Sequence, residues 1–144
     1  MVDCRNKALE LLSRREHSCN ELQLKLTKRG YGLDEIQNVL QALIEAGLQS
    51  DARFSQSYVR LRASKGFGPS RIRQELHLRQ ISDELIENSL FAQEIDWIAQ
   101  ARMAKCKKFG RELSEEFAEK IKQMKFLQYR GFESVQIHDC LEQC

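Results

Sequence analysis

Histidines and cysteines are the side chains that most often hold a metal or move a proton, and this chain has three of the first and five of the second. The tightest groupings are His17 with Cys19, and His138 with Cys140 and Cys144. Neither contains a CxxC pair or the Cys/His spacing of a zinc finger, and an odd set of thiols (Cys4, Cys19, Cys106, Cys140, Cys144) does not build a disulfide framework. Reduced thiols, no metal and no cofactor are therefore expected. Catalysis has no firmer base. HExxH and GxSxG are absent, and the carboxylates fall mainly on polar helix faces, with Asp34, Glu35, Glu115 and Glu116 placed as first-turn acids. The weak enzymatic alternative, a metal held by His138, Cys140 and Cys144, predicts stoichiometric bound metal. The chain reads as a non-enzyme.

The basic side chains make a stronger pattern. Residues 64–76 read SKGFGPSRIRQEL, which puts two glycines, a lysine and the single proline of the chain directly ahead of an arginine-rich segment. Such an entry suits a phosphate cradle, a DNA-reading element or a well-made helix start. From Asp51 to Arg79 there are seven basic residues against two acids, a net +5, and from Gln80 to Ala101 five acids and no Lys or Arg, a net −5. Arg102, Lys105, Lys107, Lys108 and Arg111 form a further basic block, whereas 33–45 and 133–144 hold no Lys or Arg. The glycines lack the GxxxxGK[ST] pattern and preceding strand of a P-loop. In a helix-turn-helix the second helix enters the major groove, and here that helix would be the acidic DELIENSL, which phosphates repel. Gly66, Gly68 and Pro69 are read as a structural turn that aims the basic helix. Arg60, Arg62, Lys65, Arg71, Arg73, Arg79, Lys105 and Lys108 are the expected partner- or DNA-binding face. Arg71 has a competing role, because Glu75 lies at i+4 on its own helix.

The elements that must position these groups are helical. One proline and seven glycines in 144 residues, with abundant Leu, Gln, Glu, Lys and Arg, favour helix, and apolar residues recur at i, i+3, i+4 without strand-like alternation. The pattern repeats. Leu26, Leu76 and Leu127 each precede an arginine (Arg29, Arg79, Arg130) by three residues; Gly30, Gln80 and Gly131 follow; then come Ile36/Leu40, Ile86/Leu90 and Ile137/Leu141 at equal offsets, a period of 50 and then 51. Ser18 with Glu21 forms a capping box, and Gly68 with Pro69 takes the equivalent place in the second unit. Gly30 and Gly131 are left-handed stop residues, and Gln80 fills that role with a Cβ that positive φ disfavours. The expected fold is all-α: three tandem three-helix bundle repeats of about 50 residues, spanning 1–48, 49–93 and 94–144, in an elongated, curved row. Helices are expected near 3–15, 18–29, 33–46, 51–65, 69–79, 82–92, 94–109, 114–130 and 133–143. Phe54, Tyr58, Phe67, Trp97, Phe109, Phe117 and Phe126 are read as core. With no signal-like apolar stretch and no run of 18 apolar residues, a cytoplasmic protein free of membranes is expected.

These segments together resemble one family. GLQSDARFSQSYVRLRASKGFGPSRIRQELHLRQIS in the middle unit, EIDWIAQARMAKCKKFG and KFLQYRGF in the third, and ALELLSRREHSCNELQLKL in the first are similar to the RecX family, regulatory proteins that bind RecA recombinase filaments. The likeness covers nearly the whole chain. It implies tandem three-helix units and a monomeric modulator that lies in the groove of the RecA filament. Such a modulator inhibits ATP hydrolysis, strand exchange and co-protease activity, within DNA repair, homologous recombination and the SOS response. Two positions depart from the family pattern: Ser50 replaces the first acid of an Asp-Asp pair, which weakens a helix cap, and Gln80 replaces a turn glycine. The runner-up is a sequence-independent protein for single- or double-stranded DNA acting without RecA, whose affinity falls steeply with salt.

Overall fold

The computed structural model describes residues 2–142 of the chain. Among them are nine α-helices and no strand: α1 (Cys4–Arg14), α2 (Cys19–Lys28), α3 (Leu33–Glu45), α4 (Asp51–Ser64), α5 (Pro69–Leu78), α6 (Asp83–Phe91), α7 (Trp97–Phe109), α8 (Phe117–Tyr129) and α9 (Ser134–Glu142). They pack as three successive trios.

The repeat has a concrete basis in how the middle helices end. Arg29, Arg79 and Arg130 are the C-caps of α2, α5 and α8, and the next residues, Gly30, Gln80 and Gly131, have φ of 94, 58 and 97°. In each case the following amide closes back on the leucine of the repeat: Tyr31 to the Leu26 carbonyl at 3.3 Å, Ile81 to Leu76 at 3.2 Å, Phe132 to Leu127 at 3.1 Å. This is a Schellman closure, in which an apolar residue beyond the turn seals the helix end. Gln80 is the one non-glycine residue at positive φ among the described residues. Helix starts follow the side chains. Ser18 and Glu21 form both bonds of the capping box, and Gly68 and Pro69 are the N-cap and first residue of α5. Ser50 caps α4 by accepting from the Arg53 amide at 3.2 Å, so the acid expected to be missed there is replaced by a hydroxyl that does the same work.

Two helices begin later than their periodicity suggests. α7 starts at Trp97 because Asp96 accepts from the Ala99 amide and caps it there. α8 starts at Phe117, which leaves Glu115 outside the helix and Glu116 as an N-cap without a side-chain bond; Glu119 is the acid of the first turn. Phe117 is also not core: it is 78% exposed.

The apolar residues form two cores. Ala8, Leu11, Leu22, Leu26, Ile36, Leu40 and Leu43 fill the first trio. A second, continuous core runs from Phe54 through Ile72, Leu76, Trp97 and Leu127 to Leu141 and joins the second trio to the third. The first trio meets the second through polar bonds: the Cys19 amide donates to Asp51 Oδ1 (2.8 Å), Gln49 Nε2 donates to the His17 carbonyl (3.2 Å), and Arg53 pairs with Glu16 (3.1 Å). The surface of 9041 Å² exceeds the roughly 7,600 Å² that a compact monomer of this mass exposes, as a row of small bundles should.

Candidate functional site

The GFGP turn is a joint between two bundles. Lys65 caps α4, Gly66 takes φ +89°, Phe67 closes the helix end by donating to the Arg62 carbonyl (3.1 Å), and Gly68 opens α5. The Gly68 amide donates to the Arg130 carbonyl at 2.7 Å and the Ser70 amide to the Gly131 carbonyl at 2.9 Å, which ties this turn to the α8–α9 turn. Backbones touch here. A Cβ on Gly68 would lie 2.5 Å from Gly131 C and Phe132 N, and one on Gly131 would lie 2.2 Å from Arg71 Cβ. Two glycines 63 positions apart thus allow the close approach that fixes the second trio against the third.

Around this joint, cations alternate with rings. Phe67 has three guanidinium groups within 5 Å of its ring centre: Arg62 at 3.8, Arg71 at 4.5 and Arg130 at 4.9 Å. Arg71 also stands 5.1 Å from Tyr129, Arg130 5.0 Å from Phe126, Lys108 5.9 Å from Phe126, and Arg79 4.8 Å from Tyr58. Such contacts hold charged groups over apolar surface.

Much of the +5 of the second unit is balanced within the fold. Glu75 accepts from Arg62 Nε (2.9 Å) and Nη2 (2.8 Å), from Arg71 Nε (3.3 Å) and from the Tyr58 hydroxyl (2.9 Å). Burial alone would raise the Glu75 carboxyl, but the hydrogen bonds from Arg62 and Tyr58 hold it below its ordinary value. Burial, and then the bond to Glu75, pushes the Tyr58 hydroxyl up. Arg73 pairs with Glu87 (2.7 Å) and Glu133 (3.7 Å), and Arg79 donates to the Glu75 carbonyl (2.9 Å). Arg60 stays exposed, with bonds to Gln93 and Ser57. The internal pairing of Arg71 with Glu75 is therefore present alongside any outward role.

Lys105 is the clear correction. It is 1% exposed, and its Nζ donates to the carbonyls of Gly110 (2.9 Å) and Glu112 (2.8 Å). The ammonium group closes the loop after α7 upon the helix end, where unpaired carbonyls attract a cation. It has no surface to offer a partner. Lys65 and Lys108 do, and they share a groove with Lys107 and Arg130, which sequence reasoning did not select. Arg130 is the third arginine of the repeat, so the repeat itself carried its signal. Of the loose metal groupings, Cys144 lies outside the described residues. His17 is occupied, with Nδ1 against the Arg15 carbonyl (3.0 Å) and Nε2 against Lys25 Nζ (2.8 Å). No group of three or more His, Cys, Asp or Glu is placed to hold a metal among the described residues.

Comparison with known proteins follows the same three-part division. The descriptions "RecX, first three-helix domain", "RecX, second three-helix domain" and "RecX, third three-helix domain" match residues 4–43, 50–90 and 94–141. The chain belongs to the RecX family. Among its relatives, the "Regulatory protein RecX" of Vibrio vulnificus (strain CMCP6) is 41% identical over 141 residues, covering 98% of this chain and 92% of that one. The RecX of Halorhodospira halophila (strain DSM 244 / SL1) is 43% identical over 133 residues, covering 92% and 83%. The crystal structure of RecX from Lactobacillus salivarius shares the fold, with a TM-score of 0.81 at 22% identity over 97% of this chain and 93% of that one. A second crystal structure, of "regulatory protein RecX", gives 0.80 at 21% identity over 99% and 74%. Within this RecX framework the GPSRIR turn belongs to the second domain and the RGF turn that grips it to the third. No helix among the described residues is long and apolar enough to cross a membrane.

Proposed function

We infer that this chain binds RecA filaments assembled on DNA and restrains their ATPase, recombinase and co-protease activities, as a monomer in the cytoplasm and without catalysis of its own. The observation that carries this reading is the ordered match of all three RecX domains along one chain. The physics supports it: a filament repeats, and a row of similar bundles can set several basic patches against it at once. The residues proposed to meet the filament are Arg60, Lys65, Arg79 and Lys108, with Lys107 and Arg130 added. Arg62, Arg71 and Arg73 contribute with only the part of their charge that Glu75, Glu87 and Glu133 leave.

The test is to add purified protein to preformed RecA filaments on single-stranded DNA and to follow ATP hydrolysis and filament length at substoichiometric ratios. Arrest well below one molecule per protomer supports the reading. Unaltered hydrolysis together with tight, steeply salt-dependent binding to bare DNA supports the DNA-only alternative instead.

A further inference from the structure

Lys65, Lys107 and Lys108 stand apart from the internal pairing that engages Arg62, Arg71 and Arg73. None of the ion pairs among the described residues involves Lys65, Lys107 or Lys108. All three are exposed and, with Arg130, edge one groove between the end of α4, one face of α7 and the end of α8. No carboxylate among the described residues lines it, and its apolar lining is Ala63, Ala104, Phe126 and Met103. Met103 is 65% exposed, an unbranched thioether of the kind that adapts to an incoming side chain. The stretch of α7 from Gln100 to Lys108 gives the groove a length of about 12 Å, two turns of helix.

We propose that this groove docks a short acidic segment of the filament protein, about two helical turns long, with one apolar side chain seated on Met103 and its carboxylates against Lys65, Lys107, Lys108 and Arg130. The proposal deepens the filament-binding reading and rests on it. Charge complementarity sets the sign of the occupant. The apolar lining sets its class, since a phosphodiester backbone would leave that lining bare. Stacked bases would need open ring faces, and the Phe126 ring already makes a T-shaped contact with Phe109, ring centres 5.3 Å apart, and carries Arg130 and Lys108 near its centre. A polar-apolar helix laid into a groove by a few anchors uses both features.

Cys106, half-buried in the same lining, is a built-in reporter. Its maleimide alkylation, resolved by peptide mass mapping, is measured in the full chain alone, with RecA filaments on oligo(dT), and with oligo(dT) alone. ATP hydrolysis is followed in the same samples. The expected result is at least about tenfold protection by the filament and less than about twofold by oligo(dT). Met103→Glu should abolish the protection and weaken inhibition by about tenfold, equivalent to about 1.4 kcal/mol, while Met103→Leu keeps both. Unchanged alkylation on a filament whose hydrolysis has stopped overturns the groove and leaves the regulatory reading standing. Equal protection by oligo(dT) assigns the groove to nucleic acid and overturns the proposal. Neither arrest nor protection overturns both readings.

Discussion

Gly68→Ala isolates the joint between the second and third bundles. At φ −96° and ψ 171° an alanine is unstrained, so the backbone itself costs nothing. The new Cβ would nonetheless lie 2.5 Å from backbone atoms of Gly131 and Phe132, which cannot turn aside as a side chain would. Forcing a methyl into such a site costs about 1–3 kcal/mol. The displaced turn also weakens the bonds from the Gly68 and Ser70 amides, each worth about 1 kcal/mol. The sum is about 2–4 kcal/mol, and a bundle pair of this size should lose at least about 10 °C in Tm. Gly32→Ala is the matched control: Gly32 is likewise an N-cap glycine at ordinary φ, with nothing within 4 Å of its would-be Cβ, and it should cost only about 0.5 kcal/mol. Urea unfolding is read by far-UV circular dichroism for both variants. For Gly68→Ala it is also read by the fluorescence of Trp97, the single tryptophan, which lies in the shared core. If Gly68→Ala proves no more costly than Gly32→Ala, the backbone contact between the two turns is wrong.

Gln80→Gly should stabilise the protein by about 0.5–1 kcal/mol, because relief of a left-handed L-residue (about 1–2 kcal/mol) exceeds the added chain entropy of glycine; a thermal melt checks the sign. Lys105→Met, similar in length, should cost about 1–3 kcal/mol by orphaning the Gly110 and Glu112 carbonyls, measured by chemical unfolding, whereas loss of a surface lysine would cost almost nothing. For His17, burial lowers the imidazole below its ordinary 6.5, against the pull of the Arg15 carbonyl. The unfolded chain therefore binds the proton first, and stability present above pH 6.5 declines as pH falls from there through the lower folded value. His17→Gln should flatten Tm against pH in that window, and an unchanged slope would show that His17 is not the titrating group.

Local order was legible because it is written in neighbouring residues. Ser18 with Glu21, Gly68 with Pro69, and the leucine–arginine–stop pattern ending α2, α5 and α8 need only a few positions of sequence to specify, and the structure shows each. The positive φ of Gln80 was visible only through the repeat, since nothing in glutamine itself announces it. What was hidden depends on distant partners. Gly68 meets Gly131 across 63 positions, Glu75 collects Arg62 from another helix, and Arg73 finds Glu87 on α6 and Glu133 just ahead of α9. Lys105 looked like one more surface cation because it falls in the basic block with Lys107 and Lys108. Only the return of the loop at 110–112 reveals that its ammonium group is enclosed. Phe117 errs the other way, an aromatic read as core that begins a helix in solvent.

The most direct measurement is inhibition of RecA-filament ATP hydrolysis by a Lys65→Glu/Lys108→Glu double variant whose unfolding curve matches the unaltered chain. Both side chains are exposed and outside the ion pairs among the described residues, so the exchange alters the binding face, and the matched unfolding curve controls for the loss of the Lys108–Phe126 contact. The account predicts that inhibition weakens by at least about tenfold, a loss of about 1.4 kcal/mol in binding. Undiminished inhibition by the folded variant would contradict it.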